Sequence, residues 1–114
     1  MKPPTPESQL KHDIRLALGA EPDLVLWNNP RGFAIMENRR IKFGLCPGAS
    51  DLLGILAPAG RWFCLEIKIK KNKPTDDQEM FVALIRARGG FACAVWSIAE
   101  ALEALERARG GLSQ

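Results

Sequence analysis

The sequence predicts an α/β sandwich around a small mixed sheet, in the order helix, strands with a hairpin, helix, strand, helix. Three observations carry this prediction. Helix-start signals stand at Thr5-Pro6-Glu7, Thr75-Asp76-Asp77-Gln78 and Ser97-Ile98-Ala99-Glu100. Residues Arg61 to Ile69 alternate in the two-residue period of a strand, and Phe91–Trp96 is a short apolar run of the kind a fully buried strand shows.

The elements follow in order. Thr5 is the N-cap of the first helix, Pro6 takes N1 and Glu7 adds an acidic residue to the first turn. That helix runs to about Leu18 and stops at Gly19, with Leu10, Ile14, Ala17 and Leu18 as its apolar stripe. Glu7 precedes Leu10 and Ile14 by helical spacings, so it is expected on the same inward face. Extended runs come next at Leu24–Trp27, Phe33–Met36 and Ile41–Leu45, punctuated by Asn28 to Gly32 and by Glu37-Asn38-Arg39-Arg40. Pro47 to Ser50 is a tight loop leading into a strand from Asp51 to Leu56, and Pro58-Ala59-Gly60 turns the chain into the strand Arg61–Ile69. A basic loop, Lys70 to Pro74, leads to the capping box at Thr75 and a helix ending at Gly89-Gly90. The second capping box, at Ser97, opens a last helix to about Arg109.

Composition bounds what this fold can do. The chain has 114 residues and a formal charge of +3, and 46% of its residues are apolar. That is one domain, residues 1–114, with flexible ends at 1–4 and 110–114 and a core that needs no metal or disulfide staple. The mild basic excess is compatible with a polyanionic partner. Cys46, Cys64 and Cys93 are an odd set with no CxxC pair, which argues against a disulfide framework and for a reducing, cytoplasmic setting. A single histidine, His12, argues against a zinc site. The N-terminus lacks the apolar core of a signal peptide, and no apolar run approaches the roughly 20 residues of a membrane span.

One constellation carries chemistry. By strand parity Phe63, Leu65, Ile67 and Ile69 face one side, while Trp62, Cys64, Glu66, Lys68 and Lys70 face the other. A three-residue turn pairs Ala57 with Arg61 and brings Asp51 opposite Ile67. A four-residue turn pairs Leu56 with Arg61 and brings Asp51 opposite Glu66. Both registers set two carboxylates side by side, a conflict of up to about 4 kcal/mol at an effective dielectric of about 20. Lys68 offsets one charge. A hard divalent cation, Mg²⁺ or Mn²⁺, resolves the rest with oxygen ligands alone.

These residues resemble a known pattern. Gly48-Ala49-Ser50-Asp51 followed by Glu66-Ile67-Lys68 reproduces the signature of the PD-(D/E)XK nuclease superfamily. With Glu7, Asn28 to Gly32, Gln78 and Gly89-Gly90, the chain is similar to its VRR-NUC domains over about residues 5 to 106. The resemblance implies a restriction-endonuclease-like core, αβββαβ, with a C-terminal helix. It implies that Asp51, Glu66 and the Ile67 carbonyl bind the metal, with Glu7 a further ligand. Lys68 would act on the attacking water and Gln78 would support Lys68 or that water. It implies a metal-dependent, structure-specific endonuclease on branched or four-way (Holliday) junction DNA, working as a homodimer because one domain offers one active site and a junction needs two cuts.

Plainer readings stand beside these. Glu66 and Lys68 could form a strand-face ion pair, and Asp51 could end a turn. Gln78 could serve only as the third residue of its capping box. Arg31, Arg39, Arg40, Lys42, Lys70, Lys71 and Lys73 gather on loops flanking the site and form a candidate DNA-contacting set, with Lys70 first by parity. Trp27, Trp62 and Trp96 read as core or interface, and Leu24–Trp27 or the last helix as a dimer surface. The alternatives in function are a catalytically inactive nucleic-acid-binding module and a flap- or restriction-type nuclease of the same superfamily.

Overall fold

The computed structural model describes residues 3–30 and 32–114; the side chains of residues 32–34, 42 and 43 lie outside that description. Helix α1 (Pro6–Gly19) begins where Thr5 accepts a hydrogen bond from the Ser8 N–H. Strands β1 (Leu24–Asn28), β2 (Gly32–Met36), β3 (Arg39–Phe43), β4 (Leu52–Leu56) and β5 (Arg61–Ile67) follow, then α2 (Asp76–Ala87), β6 (Phe91–Val95) and α3 (Ile98–Arg109). The main sheet is mixed, in the order β1-β4-β5-β6, antiparallel except for the parallel pair β5 and β6. The β5–α2–β6 crossover makes that parallel pair possible. Among the described residues no helix is long and apolar enough to cross a membrane.

The two faces of β5 build two cores. Phe63, Leu65 and Ile67 join Ile14 and Leu18 of α1 and Ala101, Ala104, Leu105 and Ala108 of α3 in the larger cluster. Each fully buried large apolar side chain there contributes roughly 1.5–3 kcal/mol. Phe63 also stacks on Phe91 of β6, with ring centroids 5.3 Å apart. On the opposite face Cys64 meets Phe81 and Val82 of α2 in a smaller cluster with Ala49 and Ala92.

Several expectations change. The second and third strands do not join the main sheet but form a hairpin of their own. Its turn is Glu37-Asn38 alone, at φ +52° and +62°, because a two-residue turn of left-handed residues matches strand twist. Arg39 and Arg40 therefore belong to β3, opposite Met36 and Ile35. β5 ends at Ile67, two residues early. The Ser97 cap forms, but Glu100 reaches back to the Trp96 N–H at 3.2 Å, one residue beyond the N-cap. Trp27 and Trp62 are half exposed rather than core.

The segment after α3 makes hydrogen bonds back to the fold. Ser113 O accepts from the Ala92 N–H on the outer edge of β6, and the Ala92 carbonyl accepts from Arg86 Nε. Arg61, at the start of β5, donates to the carbonyls of Gly89, Ala108 and Leu112, so one guanidinium joins the ends of α2, α3 and the chain.

Candidate active site

The β4–β5 hairpin decides between the two registers. Leu56 pairs with Arg61 and Leu52 with Leu65, so the turn has four residues, the register that carried on by one residue would set Asp51 opposite Glu66. Asp51 does not continue the ladder. Its Oδ2 accepts the Ile67 N–H at 2.7 Å, while its own carbonyl accepts the Asn29 N–H at 2.8 Å. The N–H and C=O of an extended residue project from one side of the strand. The Ile67 carbonyl therefore shares the edge of β5 on which Asp51 lies.

Glu66 is 2% exposed on the α2 face, continuing the Trp62–Cys64 row. Its Oε1 accepts from Gln78 Nε2 at 2.9 Å and stands 4.0 Å from Lys68 Nζ. The other end of the same amide caps the helix: Gln78 Oε1 accepts the Thr75 N–H at 2.9 Å, and Thr75 Oγ1 accepts the Gln78 N–H. Gln78 thus caps α2 with one end of its side chain and binds the buried Glu66 carboxylate with the other. The buried carboxylate also lies beside the first turn of α2, the positive end of that helix.

Sequence reasoning named the loop before Asp51 without finding what holds it. Gly48 has φ +79°, and a Cβ there would collide with the Asp77 carbonyl of α2. This close approach joins the Pro47–Ser50 loop to the helix end that carries Gln78. Asn29 Nδ2 donates to the Ser50 carbonyl at 3.0 Å, so Asn29 clamps the loop with side chain and backbone together. Ser50 is fully buried, and among the described residues its Oγ has no hydrogen-bond partner. The signal for Asn29 was present as Asn28-Asn29-Pro30 after a strand, but a side chain reading a distant carbonyl has no local pattern.

The structure sorts the remaining candidates. Asp51, Glu66, Lys68, Ile67 and Gln78 come together. Glu7 does not join them. It keeps its helical register with Ile14 but is exposed, because burial along α1 begins only beyond its first turn. Among the described residues no three His, Cys, Asp or Glu side chains converge on a common point. Lys70, Lys71 and Lys73 are exposed on the β5–α2 loop. Lys70 does not keep the parity expected of it: β5 has ended, and Lys70 sits in a turn at φ +55°. Arg39 and Arg40 lie exposed on the separate hairpin. Lys42 is in β3 with its side chain outside the described set, and Arg31 lies outside the described residues altogether. Burial pushes the Cys64 thiol up to about 12 and raises that of Cys93, so neither offers a thiolate.

No family model matches the chain, and no curated protein matches it. Among solved structures, one described as a VRR_NUC domain is similar at 24% sequence identity with a TM-score of 0.62. The alignment covers 90% of this chain and 97% of that one. The likeness is one of fold, and it extends over nearly the whole of both chains.

Proposed function

On this restriction-endonuclease-like, VRR-NUC-type fold, we propose that the chain is a metal-dependent, structure-specific DNA endonuclease that hydrolyses phosphodiester bonds, with branched or four-way DNA as substrate and a homodimer as the working form. One observation carries the reading. Two buried carboxylates, Asp51 and Glu66, adjoin across a hairpin, with an ammonium 4.0 Å from one of them. Buried carboxylates set this close together repel one another, and positive charge between them lowers that cost.

The donors fit a hard divalent ion. Asp51, Glu66 and the Ile67 carbonyl would hold Mg²⁺ or Mn²⁺, with water completing the shell, as suits an ion that takes one or two protein carboxylates. When bound, the ion supplies Lewis-acid stabilisation of charge on a phosphoryl oxygen and lowers the pKa of water. The chain's own groups do the rest. Lys68 orients the attacking water and compensates negative charge as water adds to phosphorus and a bridging P–O bond breaks. Gln78 fixes the rotamer of Glu66, and the Ile67 N–H fixes that of Asp51. Lys70, Lys71 and Lys73 supply sequence-independent attraction for the phosphate backbone, with Arg39 and Arg40 as further candidates on the hairpin.

Support for self-association lies on the sheet. Val25, Ile55 and Trp62 stand in register across β1, β4 and β5, all substantially exposed, with Trp27 further along β1. An apolar row of this kind suits an isologous interface.

A panel of duplex, flap, splayed-arm and four-way DNA, each with Mg²⁺ and then with EDTA, tests the substrate and the metal. Lys68→Ala tests the mechanism: cleavage is expected to vanish while DNA binding persists. Full activity in that variant refutes it, and binding of branched DNA by the wild type without metal-dependent nicking favours the inactive module.

A further inference from the structure

The basic loop after the catalytic strand is not simply a tether. Its first half is a turn in which the Asn72 N–H donates to the Ile69 carbonyl at 3.1 Å, with Lys70 held in the left-handed region. A lysine adopts that conformation at a cost, and it persists only where the surrounding structure enforces it. A further bond reaches this turn from the neighbouring strand: Trp96, just past β6, donates its indole Nε1–H to the Asn72 carbonyl at 2.9 Å. Trp96 is itself fixed by its main-chain N–H on Glu100 Oε2, and the neighbouring Val95 carbonyl accepts the Lys68 N–H at 2.9 Å. The end of β6 therefore holds the backbone of Lys68 and the far end of the lysine turn at once.

We propose, on the premise of the nuclease reading above, that Trp96 is a positioning residue for the nucleic-acid backbone. Its indole N–H presets the 69–72 turn so that Lys70 and Lys71 meet phosphates in a fixed relation to Lys68. Nothing about the ring's apolar body explains the bond. A Phe would pack comparably at this half-buried position, whereas the indole N–H is spent on a main-chain carbonyl of an exposed loop. The residue acts on substrate binding and not on the bond-breaking step, because its indole N–H is committed to the lysine turn.

Trp96→Phe keeps the ring and removes the donor. It is expected to raise the Kd for duplex DNA, and KM in cleavage, by about fivefold at low salt while kcat stays near wild type. The slope of log K against log salt should shrink by roughly 0.9 for each phosphate that the lysines no longer neutralise. A double-mutant cycle identifies the route: in a Lys70→Ala/Lys71→Ala background the same substitution should leave Kd unchanged. Asn72→Ala, which leaves the accepting carbonyl in place, should match wild type. If Trp96→Phe does not fold, one Gly inserted between Lys71 and Asn72 uncouples the turn without touching Trp96 and should raise Kd in the same way. Loss of kcat at constant KM, or an equal rise in Kd in the lysine-free background, overturns the positioning role. Lys68→Ala separates the two levels: if wild type neither binds nor cuts DNA the nuclease reading fails, whereas if Lys68→Ala behaves as expected and Trp96→Phe changes nothing, only the positioning role fails.

Discussion

Replacing Gln78 by Glu probes the site without changing its size. The new side chain keeps an oxygen for the Thr75 N–H, so the helix cap survives, but it puts a carboxylate where an amide now donates to Glu66 at 2.9 Å. At that distance two unit charges repel by roughly 6 kcal/mol at an effective dielectric of about 20. The molecule can escape by protonating one of them, which at pH 8 costs about 5 kcal/mol for a group with an unfolded pKa near 4.3. The smaller figure governs, so Gln78→Glu should lose on the order of 4–5 kcal/mol at pH 8. At pH 5 the same protonation costs about 1 kcal/mol, and most of the deficit should disappear. The sign follows from linkage. The shared proton has a folded pKa above its unfolded value, so the penalty is absent below the unfolded pKa and grows as pH rises towards the folded one. Chemical unfolding of wild type and variant at both pH values measures this directly. On the metal reading, Mg²⁺ should also recover part of the loss at pH 8, since added cation offsets added anion. An equal deficit at pH 5 and pH 8 would refute the reasoning, because it would mean that packing is lost and that Glu66 is not an ionised neighbour of position 78.

Other substitutions test the scaffold of the site. Gly48→Ala should destabilise by several kcal/mol, since both the left-handed backbone and the collision with the Asp77 carbonyl oppose a side chain; thermal unfolding reads it. Asn29→Ala removes the donor to the Ser50 carbonyl and should cost about 1–3 kcal/mol, with a larger fall in kcat than in DNA affinity if the loop aims Asp51. At the far end of the fold, the Arg109 guanidinium beside Asp23 holds that carboxyl below its ordinary range. Asp23→Asn should therefore melt below wild type at pH 7, and the two curves should converge as pH falls through the acid range and wild-type Asp23 takes up its proton.

Most of the site was legible because its pieces are short-range. The hairpin relation of Asp51 to Glu66 follows from strand parity and a turn whose length has two candidates; the capping box gave Gln78 its place on α2, and only the resemblance put it near the site, expected beside Lys68 or a water where its amide in fact meets Glu66. What could not be read depended on where elements end. Parity placed Lys70 on the catalytic face, but the strand stops at Ile67 and the alternation stops with it. Helical spacing placed Glu7 on the stripe of Ile14, yet spacing gives direction and not depth, and the first turn of α1 is not covered. Arg39 and Arg40 read as loop because charged pairs resemble punctuation, although the turn needed only Glu37 and Asn38. The roles of Asn29 and Trp96 rest on hydrogen bonds to main-chain carbonyls 21 and 24 residues away, which any residue offers and no local pattern announces.

The two rims of the main sheet are unequal, and that inequality limits how copies can polymerise. On the β6 side, Ser113 and Arg86 already occupy both backbone groups of Ala92, so a strand added at that point must first displace the segment after α3. Among the described residues, no strand lies outside β1. A sheet that can be extended on one side only is a monovalent building block. Two such blocks that join rim to rim across a twofold axis use the β1 edge of each, so strand addition through β1 closes on itself as a pair.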